Sequence, residues 1–250
     1  MRKPTTVIAV CAQETEEEGS ALKLDERLSE RQLKLLSQAF AADTLVSALS
    51  VPDVAVRLFF TDSAESRQSV STMVKYLESR ADKGSGALAH GRFETLALPD
   101  ELWGDKIGGA FQACFNEGFT KVVFIGSRTP TLTADMLKQA IDALDTYGVI
   151  SGPTIEGRFY LLGMRGKMNV DLSAYDWANS AIYSQLSDSF TAAGLNWTEL
   201  PLWYCVENPD DLEYLVRDIN QYRLEGDELT AHETEKALQR ILPELEREPA

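Results

Sequence analysis

Residues 121–132 read KVVFIGSRTPTL, an apolar run that ends in Gly126-Ser127 and then presents an arginine. A buried strand that delivers the chain to a tight turn places Arg128 where open α/β sheets hold their ligands. Guanidinium is permanently charged and grips phosphate in bidentate fashion, so the chemistry of Arg128 is anion binding. A second arginine, Arg158, follows Glu156 by two residues in GPTIEGRFYLLG. Glu156 is the carboxylate suited to hold a sugar or an acceptor, or to act as a general base. Paired with Arg158 it would instead be half of a structural ion pair. Ser127 and Thr129 could bond a base or phosphate, or cap local backbone; Gly126 and Pro130 shape the turn, and Gly126 could also touch the ligand. Phe159 and Tyr160 alternate across a strand, so one faces the core and the other a pocket. His90 and His232 are isolated, and no Ser–His–Asp or Cys–His spacing supports a nucleophilic mechanism.

The elements that must position these residues are legible as alternating periods. Strands are expected at 5–10, 55–60, 93–98, 121–125, 148–151 and 159–164, with one or two short ones in 198–206 broken at Pro201. Helices are expected at 29–49, with Gln32 completing a capping box on Ser29, and at 66–80, 105–117, 133–147 and 176–193. Two more are expected at 209–222, opened by Asn208 and Pro209, and at 230–246, where Pro243 would kink or end the helix. The glycine-rich stretch 81–91 reads as a mobile loop. Only a turn separates 148–151 from 159–164, which predicts a hairpin or a change of sheet direction. The sum is an α/β fold: a Rossmann-like α/β/α sandwich around a mostly parallel sheet. We expect one domain over residues 1–225 and a C-terminal helical extension over 226–250.

Composition limits the partners. There are 24 Lys+Arg against 39 Asp+Glu, a formal charge of −15. That argues against nucleic acid and against residence on an anionic membrane surface, while leaving room for a phosphate-bearing small molecule met by locally placed cations. No stretch approaches ~18 apolar residues, so no membrane span is expected. The three cysteines, Cys11, Cys114 and Cys205, are widely spaced, read as small core hydrophobes, and suit a cytoplasmic setting.

Four stretches taken together resemble a known family: GSRTP (126–130), GPTIEGRFYLLG (152–163), the Asp176-Trp177 pair and VENPDDL (206–212). Their order and spacing resemble the bacterial glycosyltransferase-A-like proteins labelled radical-SAM/selenodomain-associated transferases. There the corresponding stretches read approximately GSDSP, GPAxDGGYYLIG, a tryptophan-containing turn and DVDTxEDL. FAADT (40–44) and WGDKIGGAF (103–111) resemble two further segments of that family. The resemblance implies the nucleotide-diphospho-sugar transferase fold and transfer of a glycosyl or nucleotidyl group from a nucleotide-activated donor. It also implies that Asp176 and Trp177 border the acceptor.

The departures from that pattern carry their own chemistry. A donor diphosphate must be neutralised, by a carboxylate-held Mg²⁺ or Mn²⁺, by basic side chains, or by both. Where the family has a basic glycine-rich loop, this chain has EEEGSALKLDERL, in which only Lys23 and Arg27 could take the phosphate-binding role. Arg128 stands in place of an aspartate, Arg158 in place of a glycine, and Glu207 is what remains of the DVDT acids, a weak metal ligand. Two readings follow. Either Arg128 and Arg158 replace the metal on the diphosphate, with Glu156 serving the acceptor, or the site is non-catalytic and the fold serves as a scaffold. On the scaffold reading, Arg128 pairs with Glu156 or Glu207, and Leu238, Ile241 and Leu245 offer a homodimer face.

Overall fold

The computed structural model describes residues 4–12, 24, 27–80, 88–89, 91–168 and 170–245. Most of the glycine-rich stretch read as a loop, and His90 with it, lies outside these residues.

β-Branched and aromatic runs flanked by polar turns form the strands β1 (Thr6–Cys11), β2 (Ala55–Thr61), β3 (Phe93–Leu98), β4 (Lys121–Gly126), β5 (Val149–Pro153), β6 (Phe159–Arg165) and β7 (Trp197–Glu199). They make one seven-stranded sheet in the order β3-β2-β1-β4-β6-β5-β7. β6 alone is antiparallel to its neighbours, inserted between β4 and β5. The expected reversal is therefore a β5–β6 hairpin. Residues 198–206 yield only the short β7 and a single bridge between Thr154 and Trp203, because Pro201 lacks the N–H a longer ladder needs.

The helices are α1 (Glu30–Ser50), α2 (Ala64–Arg80), α3 (Trp103–Asn116), α4 (Ala134–Thr146), α5 (Ile182–Ala192), α6 (Asp211–Leu224) and α7 (His232–Leu245). Gln32 Oε1 accepts from the Ser29 N–H at 2.9 Å, and Thr133 Oγ1 accepts from the Met136 N–H at 3.2 Å, as their spacings predict. The helix expected from residue 176 starts only at Ile182. The Asp176 and Asn179 side chains accept from the N–H groups of Ala178 and Ala181, which holds the preceding segment in turns. α6 likewise begins past Pro209. The Asp211 carboxylate accepts from the N–H groups of Glu207 and Asn208 at 2.8 and 2.9 Å, and Asn208 Oδ1 accepts from the Asp210 N–H at 3.1 Å, so Asp211 joins Asn208 in organising this helix entry.

Both faces of the sheet are covered. α1, α2 and α4 pack on Ile8, Val10, Val56, Leu58, Val123, Ile125 and Ile150. α3 and α5 pack on Val7, Ala9, Phe59, Val122, Phe124 and Leu162. A parallel sheet buried on both faces demands apolar residues at every position, which TVIAVC and VVFI supply. α1 is apolar on two faces for the same reason. Ala41, Leu45 and Ala48 meet the sheet, while Leu33, Leu36 and Phe40 meet α6 and α7.

α7 is held at its start by a buried acid. Asp43, on α1, accepts from the backbone N–H groups of Glu233 and Thr234 at 3.0 and 2.7 Å. Leu238 and Ile241 are buried in the same layer, so they are not a dimer face. The helix runs on through Pro243 to its end two residues later. Burial raises the Asp43 carboxyl from 3.8 to about 6, with the two N–H bonds opposing the rise. A group that holds its proton more tightly in the folded chain contributes stability fully present below about 3.8 and lost as pH rises through 6. Asp43→Ala is expected to cost about 2 kcal/mol by leaving two helix-start donors unmatched. That deficit relative to the wild-type chain should shrink by about 1–1.5 kcal/mol between pH 5 and pH 8 in urea melts. A deficit that grew with pH would refute the assignment.

Candidate functional site

β4 ends at Gly126, and the turn that follows is anchored rather than open. The Ser127 N–H donates to the Cys11 carbonyl, Thr44 Oγ1 donates to the Ser127 carbonyl, and the Val206 N–H donates to the Arg128 carbonyl at 2.8 Å. The chain from Trp203 to Val206 thus lies along the GSRTP turn and roofs it. Ser127 and Thr129 are fully buried beneath, with Thr129 Oγ1 3.4 Å from Cys205 Sγ. Thr131 Oγ1 interacts with both Tyr204 and the Trp203 indole N–H.

A cavity of about 60 Å³ opens at this end of the sheet, lined by Gly126, Arg128, Arg158, Phe159, Tyr160, Trp177, Cys205 and Glu207 above an apolar wall that includes Trp103 and Phe124. Ligand pockets span roughly 300–1,000 Å³, so this space is the floor of a site. It has room for a phosphate-sized group while the rest of a ligand would lie outside it. Arg128 is 6% exposed. Arg158 donates to the Trp177 and Ala178 carbonyls at 3.4 and 2.9 Å, and its Nε lies 3.4 Å from Glu207 Oε2. The Nε–H is buried without an acceptor in hydrogen-bonding geometry. The ion pair thus joins Arg158 to Glu207 and not to Glu156. Burial raises the Glu207 carboxyl, the two guanidiniums pull it down, and Glu156 and Asp211 push it up.

The segment facing this site is shaped by close approach. Gly157 has φ +76°, and a Cβ there would collide with the Ser180 carbonyl. A Cβ on Gly104, at the start of α3, would collide with the Leu172 carbonyl and the Trp177 indole. That clearance lets Trp177 donate to Leu172 O at 2.8 Å and pack at 5.9 Å from Phe159. The Tyr160 ring lies over Gly152 and its hydroxyl donates to the Pro201 carbonyl. Burial pushes its phenol up, and burial likewise pushes up the Cys205 thiol, which therefore stays protonated.

The structure therefore gathers Gly126, Arg128, Arg158, Tyr160, Trp177 and Glu207 on one cavity. Glu156, half-buried in the β5–β6 turn, stands close enough to act electrostatically on Cys205 and Glu207. Asp176 is exposed, with its carboxylate spent on the turn at Ala178, and Arg27 is exposed and off the lining. Lys23 lies outside the described residues. Sequence reasoning missed the apolar wall of Trp103, Phe124, Leu162 and Ile182. The i, i+4 spacing of Trp103 and Ile107 is its one local signal.

The described residues of this donor set do not suit a divalent cation. Among the described residues no group of three His, Cys, Asp or Glu side chains could hold one. Glu207 already faces two guanidiniums, which would repel a second cation.

Residues 45–179 match the bacterial family described as "Uncharacterized protein conserved in bacteria (DUF2064)". No curated protein matches the chain. Among solved structures, one from Desulfovibrio desulfuricans G20, described as an inferred nucleotide-diphospho-sugar transferase, superposes with a TM-score of 0.71. It shares 17% identity over 97% of this chain and 98% of its own. A cytidylyltransferase from Leptospira borgpetersenii serovar Hardjo-bovis gives 0.51 at 10% identity, covering 100% and 99%. The 4-diphosphocytidyl-2C-methyl-D-erythritol synthase of Anaerococcus prevotii gives 0.50 at 9% identity, covering 86% and 96%. At these identities the likeness is one of fold: the nucleotide-diphospho-sugar transferase, glycosyltransferase-A-like fold. Among the described residues no helix is long and apolar enough to cross a membrane.

Proposed function

The chain belongs to the DUF2064 family, and from that premise we propose that it binds a nucleotide-activated sugar at this end of the sheet and transfers its glycosyl or nucleotidyl group without a divalent metal. The observation that carries this reading is the convergence of Arg128 and Arg158 on one cavity, with the Arg158 Nε–H left without an acceptor. A buried unmatched donor costs about 1–3 kcal/mol, which an incoming phosphate oxygen would relieve. Two guanidiniums offset about the charge that one divalent ion would. The diphosphate sits against them, and Glu156, at the rim, orients or deprotonates the acceptor.

The Arg158–Glu207 ion pair supports a second reading, a non-catalytic member of the fold that serves as a binding or scaffold protein, because the site carries its own counter-charge. A thermal-shift panel of nucleotide sugars, with and without Mg²⁺ or Mn²⁺, separates the two. We expect stabilisation by at least one nucleotide sugar, unchanged by metal. A flat response across the panel would leave only the scaffold reading, and stabilisation that requires metal would remove the guanidinium assignment.

A further inference from the structure

The site has a feature that ligand binding alone does not explain: a carboxylate stands where the anion would go. Glu207 is 15% exposed and lies 3.4 Å from the Arg158 Nε. Among the described residues its charged and titratable neighbours come from several elements. Arg128 projects from the β4–α4 turn, Arg158 and Glu156 from the β5–β6 turn, the Cys205 thiol from its own segment, and Asp211 from the start of α6. Its backbone is pinned. The Glu207 N–H is held by Asp211 Oδ2 at 2.8 Å, and the Val206 N–H by the Arg128 carbonyl at 2.8 Å. The carboxylate therefore cannot leave by moving the chain.

We propose that Glu207 is the internal counter-anion of a subsite formed by Arg128 and Arg158, and that a phosphate-bearing ligand enters this subsite together with one proton, taken up by Glu207. The inference rests on the nucleotide-binding reading above and names the ligand group as a fully ionised diphosphate. With Glu207 ionised, the ligand meets a buried like charge, and Glu156 and Asp211 add to the repulsion. With Glu207 protonated, the charge that Arg158 and Arg128 direct at it is released towards the phosphate, and the new carboxylic acid can donate to a phosphate oxygen. The proton comes from solvent and sits on a Glu207 carboxylate oxygen. Burial already biases that group towards its neutral form.

The test is titration calorimetry of the full chain, from pH 5.5 to 8.5, in pairs of buffers that differ in ionisation enthalpy. The probes are sulfate and UDP-glucose, whose anionic charge is constant over this range. In the wild-type chain, affinity is expected to fall by about tenfold per pH unit above the raised Glu207 pKa, with one proton taken up per ligand. Glu207→Gln is expected to bind more tightly than wild type at pH 8 and to show a flat profile. A flat wild-type profile, or a slope that persists in Glu207→Gln, overturns the proton coupling while leaving nucleotide binding intact. Failure of both probes to bind either protein at any pH removes the subsite, and the nucleotide-binding reading with it.

Discussion

Glu117→Ala is expected to destabilise the fold by about 3–5 kcal/mol, and Arg57→Met by clearly less, although the two residues are partners in one ion pair. Arg57 lies in β2 under the α3 layer, 1% exposed, while Glu117 is 26% exposed. Arg57 Nε approaches both Glu117 oxygens at 3.1 Å and its NH2 group meets Oε2 at 2.8 Å. The guanidinium also lies 5.1 Å from the centre of the Phe119 ring. Removing the acid strands a guanidinium that cannot reach water and cannot lose its charge. Among the described residues Glu94, 3.9 Å away, is a second carboxylate near it. Removing the arginine leaves Glu117 near the surface, able to rehydrate, and methionine refills most of the vacated space. Urea melts of the two variants read the asymmetry directly; equal losses would show that the pair is solvated as a unit. A loss of this size is a large fraction of the whole stability of a typical domain.

Arg128→Met is expected to weaken binding of the nucleotide sugar that stabilises the wild-type chain by about 10- to 200-fold. That range corresponds to one charge-assisted hydrogen bond of about 1.5–3 kcal/mol. Methionine keeps the unbranched buried stem without the guanidinium, and the carbonyl of residue 128 still accepts from Val206, so the turn is preserved. Glu207 loses one of the two cations that lower its pKa, so its carboxyl should rise further. Arg128→Lys keeps the charge without the planar fork and should fall between the two. Calorimetry at pH 6, beside the melting temperatures without ligand, separates lost binding from lost fold. Wild-type affinity in Arg128→Met would make this arginine part of the scaffold.

What could be read ahead of the structure was local. The capping box at Ser29, the Thr133 cap, the two-sided burial of β1 and β4 and the reversal at β5–β6 each depend on residues within a few positions of one another. The turn at GSRTP was legible for the same reason, since a strand must end where glycine and proline follow an apolar run. What escaped depends on distance along the chain. Asp43 caps a helix by accepting from Glu233, 190 residues later in the chain, and nothing within FAADT signals it. Glu207 pairs with Arg158, about fifty residues earlier in the chain, and the segment 203–206 lies along the GSRTP turn; both are tertiary events that no local stretch displays. The apolar wall of the cavity is drawn from α3, β4, β6 and the start of α5, so no single segment displays it.

The placement of β6 also bears on how the chain is made. β4 pairs with β1 on one side and β6 on the other, yet β6 ends only at residue 165, some forty residues after β4. During synthesis the first four strands can assemble while KVVFIG still presents an unmatched row of backbone groups and an apolar face. Such an edge invites pairing with another nascent chain. The hairpin that carries Arg158 to the cavity is thus also the piece that seals the sheet. Slow emergence of residues 149–165 from the ribosome would prolong a sticky intermediate, and chaperone dependence should be set by this interval.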